Sequence, residues 1–184
     1  MFSASCTADM TREEHIIESE GISHIINFIS SLDAYPSSPD TQMSVSIGGD
    51  GIIYVLNCPR QFGYIFNAFY PNGTLKWTTN DFHVWREYVS GTPTYYNGIL
   101  YVTGNDNLYA INSTNGKFLW INPISNSGYT ASSPLVSGDE VLYVSSGDMV
   151  YAFSLGGDLI WQYQLPSSVY GSPISYSSPV LTAE

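Results

Sequence analysis

A segment of about forty residues recurs along this chain, and that recurrence limits the fold more than any other feature. The clearest copy runs from Asn97 to Trp120, NGILYVTGNDNLYAINSTNGKFLW. It contains an apolar run (Ile99 to Val102), a polar turn (Gly104 to Asn107), a second run (Leu108 to Ile111), a glycine turn and a third run ending in Trp120. Gly138 to Trp161, GDEVLYVSSGDMVYAFSLGGDLIW, repeats it, and Gly49 to Trp77 is a looser copy. Tyr54, Tyr101 and Tyr143 are 47 and 42 residues apart, and Trp77, Trp120 and Trp161 are 43 and 41 apart. A period of roughly 40–45 residues with four strands per unit is that of a propeller blade.

The third unit reads as strands at Ser133–Val136, Val141–Ser145, Met149–Ser154 and Leu159–Gln164. These runs hold the β-branched and aromatic residues that suit a pleated surface. Gly, Asn, Asp and Ser fill the gaps, and they either tolerate positive φ or bond their own backbone. Gly73, Gly116 and Gly157 each stand four residues before their tryptophan, which fits a tight turn between the third and fourth strands. No blade buries both faces alone, so the repeated Trp, Tyr and Leu are expected to be contacts between blades rather than ligands. A buried tryptophan also needs a partner for its indole N–H.

Leu108-Tyr109-Ala110-x-Asn112-x-x-x-Gly116-x-x-x-Trp120 resembles the tryptophan-docking repeat of the PQQ-type β-propellers. Ala68, Gly73 and Trp77 match it in the first unit, and Ala152, Gly157 and Trp161 match it in the third, each one residue shorter. Where the family carries Asp, this chain has Asn112, Tyr70 and Ser154. The resemblance implies an all-β fold in which each Trp stacks on the neighbouring blade. Its repeat positions here are Tyr54, Trp77, Tyr101, Ala110, Gly116, Trp120, Tyr143, Ala152, Gly157 and Trp161. It further implies a periplasmic or extracellular setting and one of two functions. Some members are non-catalytic interaction scaffolds, such as the propeller lipoprotein of the outer-membrane barrel-assembly machinery. Others are quinoprotein dehydrogenases that hold pyrroloquinoline quinone and Ca²⁺ on the propeller axis and oxidise alcohols or sugars. The dehydrogenases use an acidic base and often a disulfide between adjacent cysteines. This chain has no adjacent cysteines and no acidic residue that matches the base.

The expected architecture is a partial β-propeller of about three complete four-stranded antiparallel blades, with incomplete blades on both flanks. Residues 1–21 form an N-terminal segment that reads as helical or disordered, and residues 22–184 carry the repeats, in units near 44–80, 91–124 and 133–165. Propellers of this family close with about seven or eight blades, so a fragment of a larger ring, a truncated product or a self-associating partial ring is expected. Thr11 and Glu14 have the spacing of a capping box. Ile22 to Ser30 reads as a helix or as the outgoing strand of a preceding blade, the strand being preferred for its place in the repeat. Two segments compete for the opening strand of a fourth unit, Ser177-Ser178-Pro179-Val180-Leu181 and Gly171-Ser172-Pro173.

Charge and motif content exclude several functions. The net charge is −11 with five basic residues in 184, which argues against phosphate-backbone binding and against an anionic membrane surface. Seven of the acids precede Ser44, so the repeats are only mildly acidic. No run reaches the ~18–20 apolar residues of a membrane span, and Met1 to Glu20 lacks the pattern of a signal peptide. Cys6 and Cys58 have no ligand spacing and read as two free thiols in preference to a disulfide, which nothing in their spacing implies. His15, His24 and His83 are isolated, and there is no GxSxG or P-loop. The turns Gly104-Asn105-Asp106-Asn107 and Gly147-Asp148 place oxygens close together but lack the ligand density of a calcium loop. No catalytic, cofactor or metal residue is therefore assigned. The expected function is a non-catalytic scaffold with an unknown protein partner. The 15 tyrosines suit an interaction surface as well as a β core.

Overall fold

The computed structural model describes residues 44–57, 64–82, 91–104, 106–124, 131–166 and 178–180. The N-terminal segment, Ile22 to Ser30, Cys6, Cys58 and the three histidines lie outside the described residues, as does Gly171-Ser172-Pro173.

Among the described residues, twelve strands form three separate four-stranded sheets. The first holds β1 (Ser44–Ile47), β2 (Ile53–Asn57), β3 (Tyr64–Phe69) and β4 (Leu75–Phe82). The second holds β5 (Thr94–Tyr96), β6 (Ile99–Gly104), β7 (Asn107–Asn112) and β8 (Phe118–Pro123). The third holds β9 (Leu135–Val136), β10 (Val141–Ser146), β11 (Met149–Ser154) and β12 (Leu159–Gln164). Each sheet is an antiparallel meander in chain order. Neighbouring sheets meet along their first strands, β1 beside β5 and β5 beside β9. The chain is all-β, a partial propeller of three complete blades.

The apolar runs are continuous because the middle sheet is covered on both faces. In β6, Leu100 and Val102 point toward the first sheet, and Tyr101 points toward the third. In β7, Tyr109 and Ile111 face the first sheet, and Leu108 and Ala110 face the third. Two cores result. One lies between sheets one and two around Tyr54, Leu56 and Phe66, and the other lies between sheets two and three around Leu142, Val144 and Phe153. Burying a Leu or Phe side chain of this kind contributes about 1.5–3 kcal/mol. The repeated unit is therefore half of each core rather than a core of its own.

Turn chemistry sets the registers. Asn97 and Gly98 both have positive φ, 45° and 80°, the pair that a two-residue hairpin between β5 and β6 requires. Asn72 Oδ1 accepts from Thr74 N–H, and Asn112 Oδ1 accepts from Thr114 N–H, at 3.1 and 2.8 Å. The two Asn-x-Thr triplets of the sequence are thus Asx turns between third and fourth strands.

β9 begins at Leu135 rather than at Ser133. Pro134 has no N–H for the ladder. Its carbonyl instead accepts from Thr94 Oγ1 of the second sheet at 2.5 Å. A bulge recurs in all three sheets, just past the pairs Ala68–Trp77, Ala110–Trp120 and Ala152–Trp161. The extra residue reverses which face the fourth strand presents. As a result Phe118 packs into the first core and Trp120 into the second, although only one residue separates them.

The glycine turns give a direct test. Gly116 has φ of 71°, and a Cβ there would stand 2.7 Å from the Trp77 ring. Gly116→Ala should lower the unfolding free energy by about 2 kcal/mol in urea titration, the sum of left-handed strain and displaced ring. Gly138→Ala is the control, because nothing lies within 4 Å of its added methyl, and its midpoint should be unchanged.

Candidate functional site

The repeat positions of the sequence assemble into two seams between sheets and one open face. At the first seam, Trp77 lies over Gly116 and its Nε1–H donates to the Ser113 carbonyl at 2.8 Å. At the second, Trp120 lies over Gly157, whose φ is 97°, and its Nε1–H donates to the Leu155 carbonyl at 3.1 Å. Each indole thus bridges from the fourth strand of one sheet to the turn before the fourth strand of the next. Ala68 and Ala110, paired across the strands from Trp77 and Trp120, are fully buried and leave room for the rings.

Each tryptophan also sits against the tyrosine of its own sheet. The ring centroids are 6.1 Å apart for Tyr54–Trp77, 5.9 Å for Tyr101–Trp120 and 6.0 Å for Tyr143–Trp161. Tyr101 donates its hydroxyl to the same Leu155 carbonyl that accepts from Trp120, at 3.3 Å. Tyr54 donates instead to Asp50 Oδ2 at 3.0 Å, while Asp50 Oδ1 accepts from Ile52 N–H. Burial raises the pKa of the Tyr54 phenol, and the Asp50 carboxylate adds to the shift. Burial also pushes Tyr101 up to about 12, with smaller contributions from Tyr96 and Glu140.

Trp161 departs from the pattern. Tyr143 packs against it with the rings tilted by 50°, and Ala152 pairs with it as in the other sheets, but Trp161 is 43% exposed and Tyr163 near it 57%. Among the described residues nothing accepts from the Trp161 indole, and no turn lies over its ring.

A second repeated feature lies on the inner side, where the sequence shows Ser-Ser-Pro at 132–134 and again at 177–179 but not the bonds between units. Thr92 N–H donates to Ser133 Oγ at 2.8 Å, and Ser133 N–H donates to Ser178 Oγ at 3.2 Å. Thr92, Ser133 and Ser178 each precede a proline. The hydroxyl of each successive unit therefore caps the backbone of the one before it. Ser178, of one of the two competing segments, thus stands to Ser133 as Ser133 stands to Thr92, while Gly171-Ser172-Pro173 lies outside the described residues. The recurring Ser/Thr-Pro dipeptide was the available signal, but Thr92-Pro93 was hidden because its flanks differ. Further along the same edge, Thr103 Oγ1 donates to the Ser132 carbonyl at 2.9 Å, and Ser145 N–H donates to Ser132 Oγ at 2.9 Å.

Among the described residues, no three His, Cys, Asp or Glu side chains come together as a metal would need. Asp106, singled out in its turn, has φ of 60° and one buried carboxylate oxygen without a hydrogen-bond partner among the described residues, and its carbonyl accepts from Ile124 N–H. Asn105 lies outside the described residues. Among the described residues, no helix is long and apolar enough to cross a membrane.

Two measurements follow from the seams. Trp120→Ala should cost about 3 kcal/mol of unfolding free energy, whereas Trp161→Ala should cost under about 1 kcal/mol in dilute solution. Equal losses would contradict the difference between the covered and open rings. The second measurement concerns alkaline pH. Tyr101 is protonated in the fold up to about pH 12, against an ordinary value of 10.0. Its contribution is whole below pH 10 and is lost as pH rises toward 12, because the unfolded phenol releases its proton first. Thermal melts should fall across that window, and Tyr101→Phe should flatten part of the fall.

Comparison with known proteins agrees with this geometry. A PQQ-repeat family model, described as outer membrane protein assembly factor BamB, matches residues 62–183. No curated protein sequence matches the chain. Among solved structures, the chain is similar to BamB from Moraxella catarrhalis, with TM-score 0.50, 16% identity, and coverage of 65% of this chain and 35% of that one. It is also similar to a protein of unknown function from Bacteroides caccae, with TM-score 0.48, 14% identity, and coverage of 70% and 48%. A third is the quinohemoprotein alcohol dehydrogenase ADHIIG from Pseudomonas putida HK5, with TM-score 0.46, 15% identity, and coverage of 62% and 25%. The chain thus spans 35% of the length of the Moraxella protein and 48% and 25% of the other two. The likeness to the Moraxella protein is one of fold, the β-propeller. The family match extends over more than half the chain and carries the assignment: this chain belongs to the PQQ-like repeat family of β-propellers.

Proposed function

We propose that this chain is a non-catalytic protein-interaction scaffold, acting in a periplasmic or extracellular setting. The observation that carries the reading is the match of residues 62–183 to a family described as an outer-membrane assembly factor. The chemistry of its surface supports it. Leu119 and Ile121 on β8 are 49% and 50% exposed, on an outer strand whose far edge has no ladder partner among the described residues. Apolar side chains beside an unpaired strand edge suit a polypeptide partner, which would take ladder hydrogen bonds from the edge and apolar contact from the side chains. The charged residues of the described repeats are few, so burying this surface carries little charge desolvation.

The competing function, part of a quinoprotein dehydrogenase, requires pyrroloquinoline quinone and Ca²⁺ to bind. Titration of the purified chain with both, followed by tryptophan fluorescence and calorimetry, should give no saturable signal. Saturable, calcium-dependent quinone binding would overturn the scaffold reading. In photo-crosslinking from the host's envelope fraction, Leu119→Glu with Ile121→Glu should cut capture of a defined partner at least tenfold while the far-UV spectrum stays unchanged.

A further inference from the structure

The two Asn-x-Thr triplets have the sequence of an N-linked glycosylation acceptor, a role that requires a place at the surface. Both lie between third and fourth strands, Asn72-Gly73-Thr74 before β4 and Asn112-Ser113-Thr114 before β8. The fold treats them differently. Asn72 and Thr74 are exposed and lie outside the strands. Thr74 Oγ1 donates to Asn72 Oδ1 at 2.8 Å, and Thr74 N–H donates to the same oxygen. Asn112 is half-buried, the last residue of β7, and pairs with Ile99 in the ladder. Its Oδ1 accepts from Thr114 N–H, and among the described residues the Thr114 hydroxyl adds no second bond. Ser113 is 2% exposed. Its N–H donates to the Gly98 carbonyl at 3.0 Å, and its carbonyl holds the Trp77 indole.

The exposure of Asn72 belongs to the turn itself. Gly73, Gly116 and Gly157 have φ of 81°, 71° and 97°. Asn115 and Gly156 precede their glycines as Asn72 precedes Gly73. Both are exposed although an indole lies over the glycine that follows. Lys117 and Asp158, which stand where Thr74 stands, are exposed as well. Asn72 and Thr74 therefore face solvent whatever packs on Gly73.

We infer that Asn72 is the acceptor of an N-linked oligosaccharide in the folded protein and that Asn112 is not. The donor class is an oligosaccharide joined through pyrophosphate to a polyprenol. Asn72 Nδ2 attacks the anomeric carbon, and a C–N bond forms. The bond from that carbon to the pyrophosphate oxygen breaks, and polyprenyl pyrophosphate leaves with the electron pair. One Nδ2 proton passes to a carboxylate of the transferase. The transferase must take up all three residues of the triplet. Asn72-Gly73-Thr74 is held by bonds within its own turn, from Tyr70 N–H to the Thr74 carbonyl and from Gly73 N–H to the Tyr70 carbonyl. Releasing it opens one turn, whereas releasing Asn112-Ser113-Thr114 opens the end of β7 and a seam between sheets. A glycan is bulky, and only the first site has solvent to hold it. The inference rests on the periplasmic or extracellular setting proposed above and not on the scaffold role.

The test incubates the full folded chain with a single-subunit oligosaccharyltransferase and a polyprenyl-pyrophosphate oligosaccharide. Trypsin then separates the triplets into the peptides 61–76 and 87–117. One glycan per chain is expected, on 61–76. Asn72→Gln should abolish the added mass, and Asn112→Gln should leave it unchanged. Thr74→Val, at an exposed position, should reduce transfer at least tenfold while the far-UV spectrum stays the same. Free peptides carrying either triplet should both be glycosylated, because only the fold separates the two. Modified peptides beside an unmodified folded chain would overturn the inference, and so would a glycan on 87–117 of the folded chain. The chain recovered from its host adds a second reading. Recovery outside the cytosol without added mass on 61–76 would overturn the glycan alone. Recovery from the cytosol would overturn the proposed setting and the glycan together.

Discussion

The ring of Trp77 can lie against Gly116 only because that residue has no Cβ and its backbone turns at φ of 71°. An alanine in that conformation is strained even in open space, and here the space is filled by indole. The same pairing at Trp120 and Gly157 shows that the arrangement is a rule of the repeat. The energetics favour this design. An indole brings a large apolar area to the seam but also a donor that must not be buried unpaired. The turn supplies a carbonyl at hydrogen-bond distance beside the only residue small enough to accept the ring. One element thus satisfies the apolar and polar needs together and fixes the relative position of two sheets.

The seam tryptophans lie toward the outer strands, and the hydroxyl chain lies toward the inner ones. Thr92, Ser133 and Ser178 tie successive units together through backbone N–H groups that precede prolines. The following proline carries no N–H and biases the residue before it toward an extended conformation. That residue's own N–H is then directed away from its own sheet, and a hydroxyl of the next unit receives it. The inner strands can therefore stay short, as β9 does with two residues. Cross-unit bonds replace the ladder bonds that a longer strand would have made. Two kinds of contact, one apolar with a single polar tip and one wholly polar, hold each sheet at opposite ends. That leaves little freedom for a sheet to rotate against its neighbour.

Much of this was legible in the sequence because the repeat states it three times. The strand runs, the glycine turns and the involvement of Trp77 and Trp120 in packing between units all come from spacing and residue type. The sequence does not show what a Cβ at Gly116 would strike, because Trp77 lies in another unit 39 residues away. Nor does it show the bulge. Simple alternation places Phe118 and Trp120 on one face, and the extra residue after the Ala110–Trp120 pair places them on opposite faces, in different cores. A bulge is a property of pairing between strands, so it leaves no mark in either strand alone. The Ser/Thr-Pro chain was missed for a related reason. Thr92-Pro93 shares only its hydroxyl residue and proline with the Ser-Ser-Pro triplets at 132–134 and 177–179, and the meaning of all three lies in a bond between units.

The difference between Trp120 and Trp161 shows that the repeat encodes an interface and not only a strand pattern. Sequence alone treats the two as equals, with the same tyrosine, the same alanine and a glycine four residues before. Their surroundings differ because each tryptophan is completed by the unit after it. A blade of this type therefore has a direction, with a ring at one face and a receiving turn at the other.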